Sequence, residues 1–169
     1  MCHLNPNPAL ADLKDLRLDV ARKRLRESTD PADALEAIRE IVTNLLGSEE
    51  MGVFSVEHGK DVLPLLWSFG IDPCKHCSLD ASCDGVVPKV IQGAPHVALL
   101  NRNTPFSLLI PIRLKGRTVA ILAIQRLLPQ KTNVDESDMK LLQLLSDEAG
   151  RALFACNSRP NASEAVSDL

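Results

Sequence analysis

Two apolar runs of similar length, Phe106 to Leu114 and Arg117 to Gln125, flank the dipeptide Lys115-Gly116, and no other part of the chain constrains its fold as much. Both runs are rich in Leu, Ile and Val, which fit a pleated and buried surface, so they are expected to pair as an antiparallel hairpin. Pro111 falls inside the first run. Proline has no N–H to offer a ladder, so a bulge or an edge position is expected there.

The segments around this hairpin are helical in period. Asp30 reads as an N-cap, Pro31 as a first helical position and Asp33 as a first-turn acid, ahead of Leu35, Ile38, Ile41, Val42 and Leu45 and a stop at Gly47. A second long helix opens at Asp135, with Asp138 three residues on, and carries Met139, Leu142, Leu145, Ala149, Ala152, Leu153 and Cys156. Residues 9 to 28 form a more charged helix. Its apolar stripe, Leu10, Leu13, Leu16, Val20 and Leu25, is narrow and suits a partner helix better than a deep core. Its basic run Arg22-Lys23-Arg24-Leu25-Arg26 reads as a solvated face that complements the helix dipole.

Strands are expected over Met51 to Glu57 and Val62 to Phe69, joined by His58-Gly59-Lys60-Asp61. A short helix is expected from Gly85 to Gln92, ended by Gly93-Ala94-Pro95, and then a strand from His96 to Leu100. This order puts the helices on one side of an antiparallel sheet, an α+β arrangement. Residues 1–29 read as an N-terminal extension with an amphipathic helix, 30–157 as the folded domain and 158–169 as a disordered tail.

The chain has 169 residues, enough to bury a core without disulfides. Its start carries no basic stretch followed by an apolar run, so neither a secretory signal nor a membrane span is expected, and a cytoplasmic location follows. A net charge of -3, no tyrosine and only 3% aromatics argue against nucleic acid as a partner. His58 in a turn and His96 at a strand start read as surface or packing residues.

The most chemically committed stretch is Asp72-Pro73-Cys74-Lys75-His76-Cys77-Ser78-Leu79-Asp80-Ala81-Ser82-Cys83-Asp84-Gly85, which holds three of the five cysteines. Thiols in a reducing compartment point to metal or redox chemistry more than to disulfides. Cys74 and Cys77 can turn back on one centre, and Cys83 can supply a third position on a metal or an iron-sulfur cluster. A fourth ligand would come from Cys2, Cys156, His76, Asp80 or Asp84. Cys156 fits a buried helix stripe as a small hydrophobe, whereas Cys2 lies at the chain start. Zinc held by three cysteines and a histidine competes with the cluster, and three uncoordinated surface thiols complete the alternatives.

Three segments resemble those of the GAF domain family. Val87-Pro88-Lys89-Val90-Ile91-Gln92-Gly93-Ala94-Pro95-His96-Val97 is similar to its short helix ending at Gly-x-Pro before a strand. Ser107 to Leu122, Pro111 included, looks like its central hairpin, and Asp135 to Leu145 is similar to the start of its closing helix. The resemblance covers about residues 31 to 157. It implies a sheet with terminal helices on one face, and on the other a short helix and loops that close over a pocket for cyclic nucleotides, metabolites, tetrapyrroles or metals. The Asn-Lys, Phe and Asp-Glu signature of cyclic-nucleotide binders is not present in full, and Asp135-Glu136 matches its last piece at most. The cysteines do not match those of the free methionine sulfoxide reductase branch. Separately, the Cys-x2-Cys-x5-Cys spacing is similar to that of fumarate-nitrate reductase type oxygen regulators and WhiB-type proteins, which bind a four-iron cluster. That likeness carries over only onto Cys74, Cys77 and Cys83.

The expectation is thus a non-enzymatic sensory domain, a homodimer, that binds an iron-sulfur cluster or a metal such as zinc and signals to a separate regulatory protein. The alternative is an interaction or dimerisation module that takes a small organic regulator or no ligand, with structural or incidental cysteines.

Overall fold

The computed structural model describes residues 8–81, 86–93, 96–97, 105–129, 131 and 133–154. Among them, helix α1 (Pro8–Arg26) leads to α2 (Pro31–Ile41), which runs on into a wider π turn, Val42–Leu46. Strands β1 (Glu50–Ser55), β2 (Val62–Phe69) and β3 (Ser78–Asp80) follow, then α3 (Val86–Ile91), β4 (His96–Val97), β5 (Leu108–Leu114), β6 (Arg117–Arg126) and α4 (Glu136–Phe154). The strands form one sheet in the order β3-β2-β1-β6-β5-β4. Every pairing is antiparallel.

Local chemistry accounts for most of the element boundaries. The Asp30 carboxylate accepts the Asp33 amide at 2.8 Å, with Pro31 at the first helical position, and Gly47 follows the π turn in the left-handed region. Lys115 and Gly116 both have positive φ, 52° and 77°, the signature of a tight hairpin turn whose twist matches its strands. Pro111 lies beyond the β4 pairing, which reaches only Leu108 and Leu109, so among the described residues it has an open edge on that side. The register shift expected near it falls between Ile112 and Arg113.

The sheet divides the core in two. On one face Met51, Val53, Leu108, Ile110, Ile112, Leu122 and Ile124 pack under Ile38, Leu46, Leu141, Leu145 and Leu153 of the helical layer. On the other, Phe54, Leu63, Leu109, Ile121 and Ala123 pack with Leu79 of β3 and with Ile71, Val87, Val90 and Phe106 from α3 and the loops. β2 contributes to both. Its register against β1 pairs Val53 with Trp67 but Phe54 with Leu65, leaving Leu66 as a bulge residue. Leu63 and Leu65 therefore join the loop-side core, while Trp67 and Phe69 pack on the helical side.

Two devices hold the helices down. At Gly150 of α4 an added Cβ would stand 2.1 Å from the Arg113 carbonyl oxygen, so only glycine lets α4 sit directly on the β5 backbone. The second is charge. Asp138, 1% exposed, receives Lys131 Nζ at 2.6 Å and lies 3.8 Å from Arg17 of α1. Its carboxylate also accepts the Asp135 amide at 3.0 Å, while Asp135 accepts the Asp138 amide at 2.8 Å, a reciprocal cap on α4. Arg24 joins α1 to α2 through Glu40 at 2.8 Å and Asp33 at 2.9 Å. Those bonds, Glu40's first, raise Arg24 above the ordinary arginine range, and the Arg24 bond holds Asp33 below the usual carboxylate range.

The structure differs from expectation in two places. Helix α1 turns Leu18, Ala21 and Leu25 toward the core, while Leu16 and Val20 remain exposed; the side chains of Leu10 and Leu13 lie outside the described residues. Burying Ala21 lets the helix approach more closely than a branched side chain would. Inside the cysteine stretch, Ser78–Asp80 forms a strand whose alternation, one buried Leu79 between two exposed residues, is too short to announce it and which exists through pairing with Val62–Pro64. Strand β4 is described over two residues only, and the expected tail and Cys156 lie outside the described residues.

Candidate functional site

The cysteine stretch leaves β2 at its edge of the sheet and returns as β3, so it borders the loop-side core. Ile71 is buried and anchors the departure. Asp72 then builds a tight turn: its carboxylate accepts the Cys74 amide at 2.9 Å, and its carbonyl accepts the amides of Lys75 at 3.2 Å and His76 at 3.1 Å. A short aspartate side chain that mimics a backbone turn is a signal the sequence carries in Asp72-Pro73. At the far end the Cys77 carbonyl accepts the Leu65 amide at 2.8 Å, and Ala81 donates to the Asp61 carbonyl at 2.6 Å.

The turn is thus fastened on both sides. Cys74 and Cys77 are free thiols and both are exposed. His76, between them, is half-buried and sets its ring edge against Phe106, with centroids 5.5 Å apart at 61°. Phe106 in turn meets Phe54 edge-on at 5.7 Å. The rings run from the turn into the core. Phe106 opens the sequence's first hairpin run and was expected there as a strand residue only; its role as the seat for His76 had no local signal, because the two lie thirty positions apart in the chain.

Of the residues expected to bind a cofactor or metal, the structure brings Cys74, His76 and Cys77 into one turn, while Cys83 and Cys2 lie outside the described residues. Among the described residues no three histidine, cysteine, aspartate or glutamate side chains are grouped to hold a metal ion. Asp80 is exposed on β3, beside the thiols in sequence. Chemically, two accessible thiols on a fastened turn can ligate a soft metal or be oxidised, and a full coordination shell needs a further donor.

The sequence profile described as GAF domain matches residues 30–153. Among curated proteins none matches significantly. Solved structures resemble the fold over most of their length. The GAF domain from Acinetobacter phosphoenolpyruvate-protein phosphotransferase superposes with a TM-score of 0.65 at 15% identity, covering 93% of this chain and 98% of that one. The corresponding domain from Coxiella burnetii gives 0.59 at 18% identity, with 92% and 97% covered. A type II free methionine-R-sulfoxide reductase from Thermoplasma acidophilum gives 0.52 at 15% identity, with 82% and 95% covered. Sensory and catalytic proteins share this scaffold, so the likeness speaks to fold alone.

Proposed function

The chain belongs to the GAF domain family, and we propose that it is a non-enzymatic cytoplasmic sensory domain whose input is an iron-sulfur cluster or a metal held by Cys74, Cys77 and Cys83. The observation that carries this reading is the pair of exposed thiols on a turn fastened at both ends, at the border of the loop-side core. Cysteines used as small hydrophobes would point inward. Thiolates supply the donor chemistry that iron-sulfur clusters and zinc prefer. His76 is engaged with Phe106, and its place in the turn makes it a seat that loading can pull on.

Binding at the turn can report only through a difference in contacts between loaded and empty states. The His76, Phe106 and Phe54 rings give such a difference a route into the core. The output is read by a separate regulatory protein. A second copy is expected on the outer face of α1, where Leu16 and Val20, four residues apart, are 56% and 54% exposed. No helix among the described residues is long and apolar enough to cross a membrane.

The test is the colour and metal content of protein purified without oxygen. Brown protein with charge-transfer absorption that bleaches in air establishes the cluster, and Cys74→Ser, Cys77→Ser and Cys83→Ser should each abolish it. Colourless protein with stoichiometric zinc, lost in the same variants, assigns a structural metal instead. Colourless, metal-free protein defeats the reading and leaves a GAF interaction module that takes an organic regulator or none, with incidental thiols.

A further inference from the structure

Beyond the cysteine turn, the far end of the loop face carries a depression of about 310 Å³, a size that fits a small ligand. Three chain segments distant in sequence meet there: the β1–β2 turn, the end of α3, and the β5–β6 hairpin. It is separate from the space beneath α3, which Val87 and Val90 fill together with Phe54, Leu109 and Ile121. Its apolar side is Val56 and Ile91, and its polar side is Lys60, Arg113, Arg117 and Thr118.

The charge at this end is unbalanced although the chain as a whole is acidic, with a net charge of -3. Lys60 pairs with Glu57, the one carboxylate among the lining residues. Arg113 and Arg117 have no ion-pair partner among the described residues, and Arg113 is half-buried all the same. The Arg113 guanidinium lies beside Gly93, whose φ is 110°: a Cβ added there would stand 3.5 Å from the guanidinium carbon. The opposite strand places Thr118 across from Arg113 in register. A half-buried guanidinium that faces no carboxylate among the described residues is an arrangement that a ligand anion completes, since its planar fork matches an oxyanion's geometry.

We infer that this depression binds a small organic phosphate monoester, its dianionic group between Arg113 and Arg117 and its apolar part against Val56 and Ile91. Two unpaired arginines suit a dianion better than a single carboxylate, and the apolar wall asks for more than inorganic phosphate. Arg113 touches both layers of the fold, because its carbonyl supports α4 at Gly150 while its guanidinium lines the depression.

The test is amide NMR titration of the full chain with inorganic phosphate, phenyl phosphate and benzoate as probes. Phenyl phosphate should move the amides of Lys60, Gly93, Arg113 and Gly116, and bind about tenfold more tightly than inorganic phosphate through the apolar wall. Arg113→Gln should weaken it by about tenfold or more, as loss of a charged hydrogen-bonding partner does. Arg117 is exposed, so Arg117→Gln keeps the fold and should weaken binding about threefold, an effect that salt mimics. Arg22→Gln, in the groove between α1 and α4, should change nothing. Shifts spread over all basic surface residues, or affinity unchanged in both the Arg113 and Arg117 variants, overturn the site. Benzoate binding as tightly as phenyl phosphate overturns the phosphate assignment. These readouts are independent of metal content, so the fate of the cysteine turn leaves them intact.

Discussion

The two faces of the sheet are built to different standards. The helical face is covered by three helices, two of them nineteen residues long, and clamped by Arg24 to Glu40 and Asp33 and by Lys131 and Arg17 to Asp138. The loop face is covered by a six-residue helix, a fastened turn and a few inward side chains, and no ion pair among the described residues ties α3 to the sheet. Burial supplies most folding free energy, so the helical face carries the stability of the domain. The loop face, with fewer contacts to break, can afford to differ between bound and free states, and both candidate sites lie on it or at its border.

The sharpest way to break this contrast is at Asp138. Asp138→Ala leaves Lys131 and Arg17 without their shared acceptor and removes one half of the reciprocal α4 cap, and a loss of about 3–5 kcal/mol is expected in denaturant unfolding. Next comes Gly150→Ala, which drives a methyl into the Arg113 carbonyl and should cost about 1–3 kcal/mol as α4 is pushed off β5. Val90→Ala on the loop face removes fully buried methyl groups but, under a short helix free to settle, should cost only about 1–2 kcal/mol. In hydrogen exchange, α3 should open well before α4. Equal protection of the two helices would erase the proposed difference between the faces.

The smallest effect is electrostatic and belongs to the helical face. Asp33, held down chiefly by Arg24, and Glu36, held down chiefly by Arg39, both titrate below their ordinary values of 3.8 and 4.5. A depressed carboxyl contributes stability that is fully present above its ordinary value and is lost as pH falls through the lowered one. The melting temperature should therefore hold steady near neutrality and begin to decline as acid passes these values. Arg24→Met should flatten the decline; an unchanged slope would mean that the Arg24 bridge contributes nothing to folding.

The parts of the fold that were legible in the sequence are those whose cause is local. Asp30-Pro31 with Asp33, the Lys115-Gly116 turn, and the reciprocal Asp135 and Asp138 cap each carry their own stereochemistry, and each sits where the residues placed it. Features made by distant contacts were harder to see. Strand β3 exists only beside β2, and the inward face of α1 is Leu18, Ala21 and Leu25, with Leu16 and Val20 of the expected stripe left outside. Gly150 did carry a signal, since a glycine inside an amphipathic helix is costly unless a backbone approaches it. For the site, the thiol positions could be named from spacing, but not that Cys74 and Cys77 face outward or that His76 rests on Phe106. The cationic depression had no sequence signature because Lys60, Gly93 and Arg113 come from three separate segments.

The bulge at Leu66 gives β2 a change of parity. Upstream of it odd-numbered residues face the loops, and downstream odd-numbered residues face the helices, so one extra residue lets a single strand serve both interiors. Straightening the bulge while keeping all eight residues is therefore unlike tightening a turn. It would exchange inside for outside over half the strand, setting Leu63 and Leu65 against Trp67 and Phe69 in a contest that no regular register can satisfy. A protein with this device tolerates substitution at Leu66, whose side chain is 53% exposed, and also its deletion, which leaves Leu65 opposite Phe54 and Trp67 opposite Val53 in regular alternation.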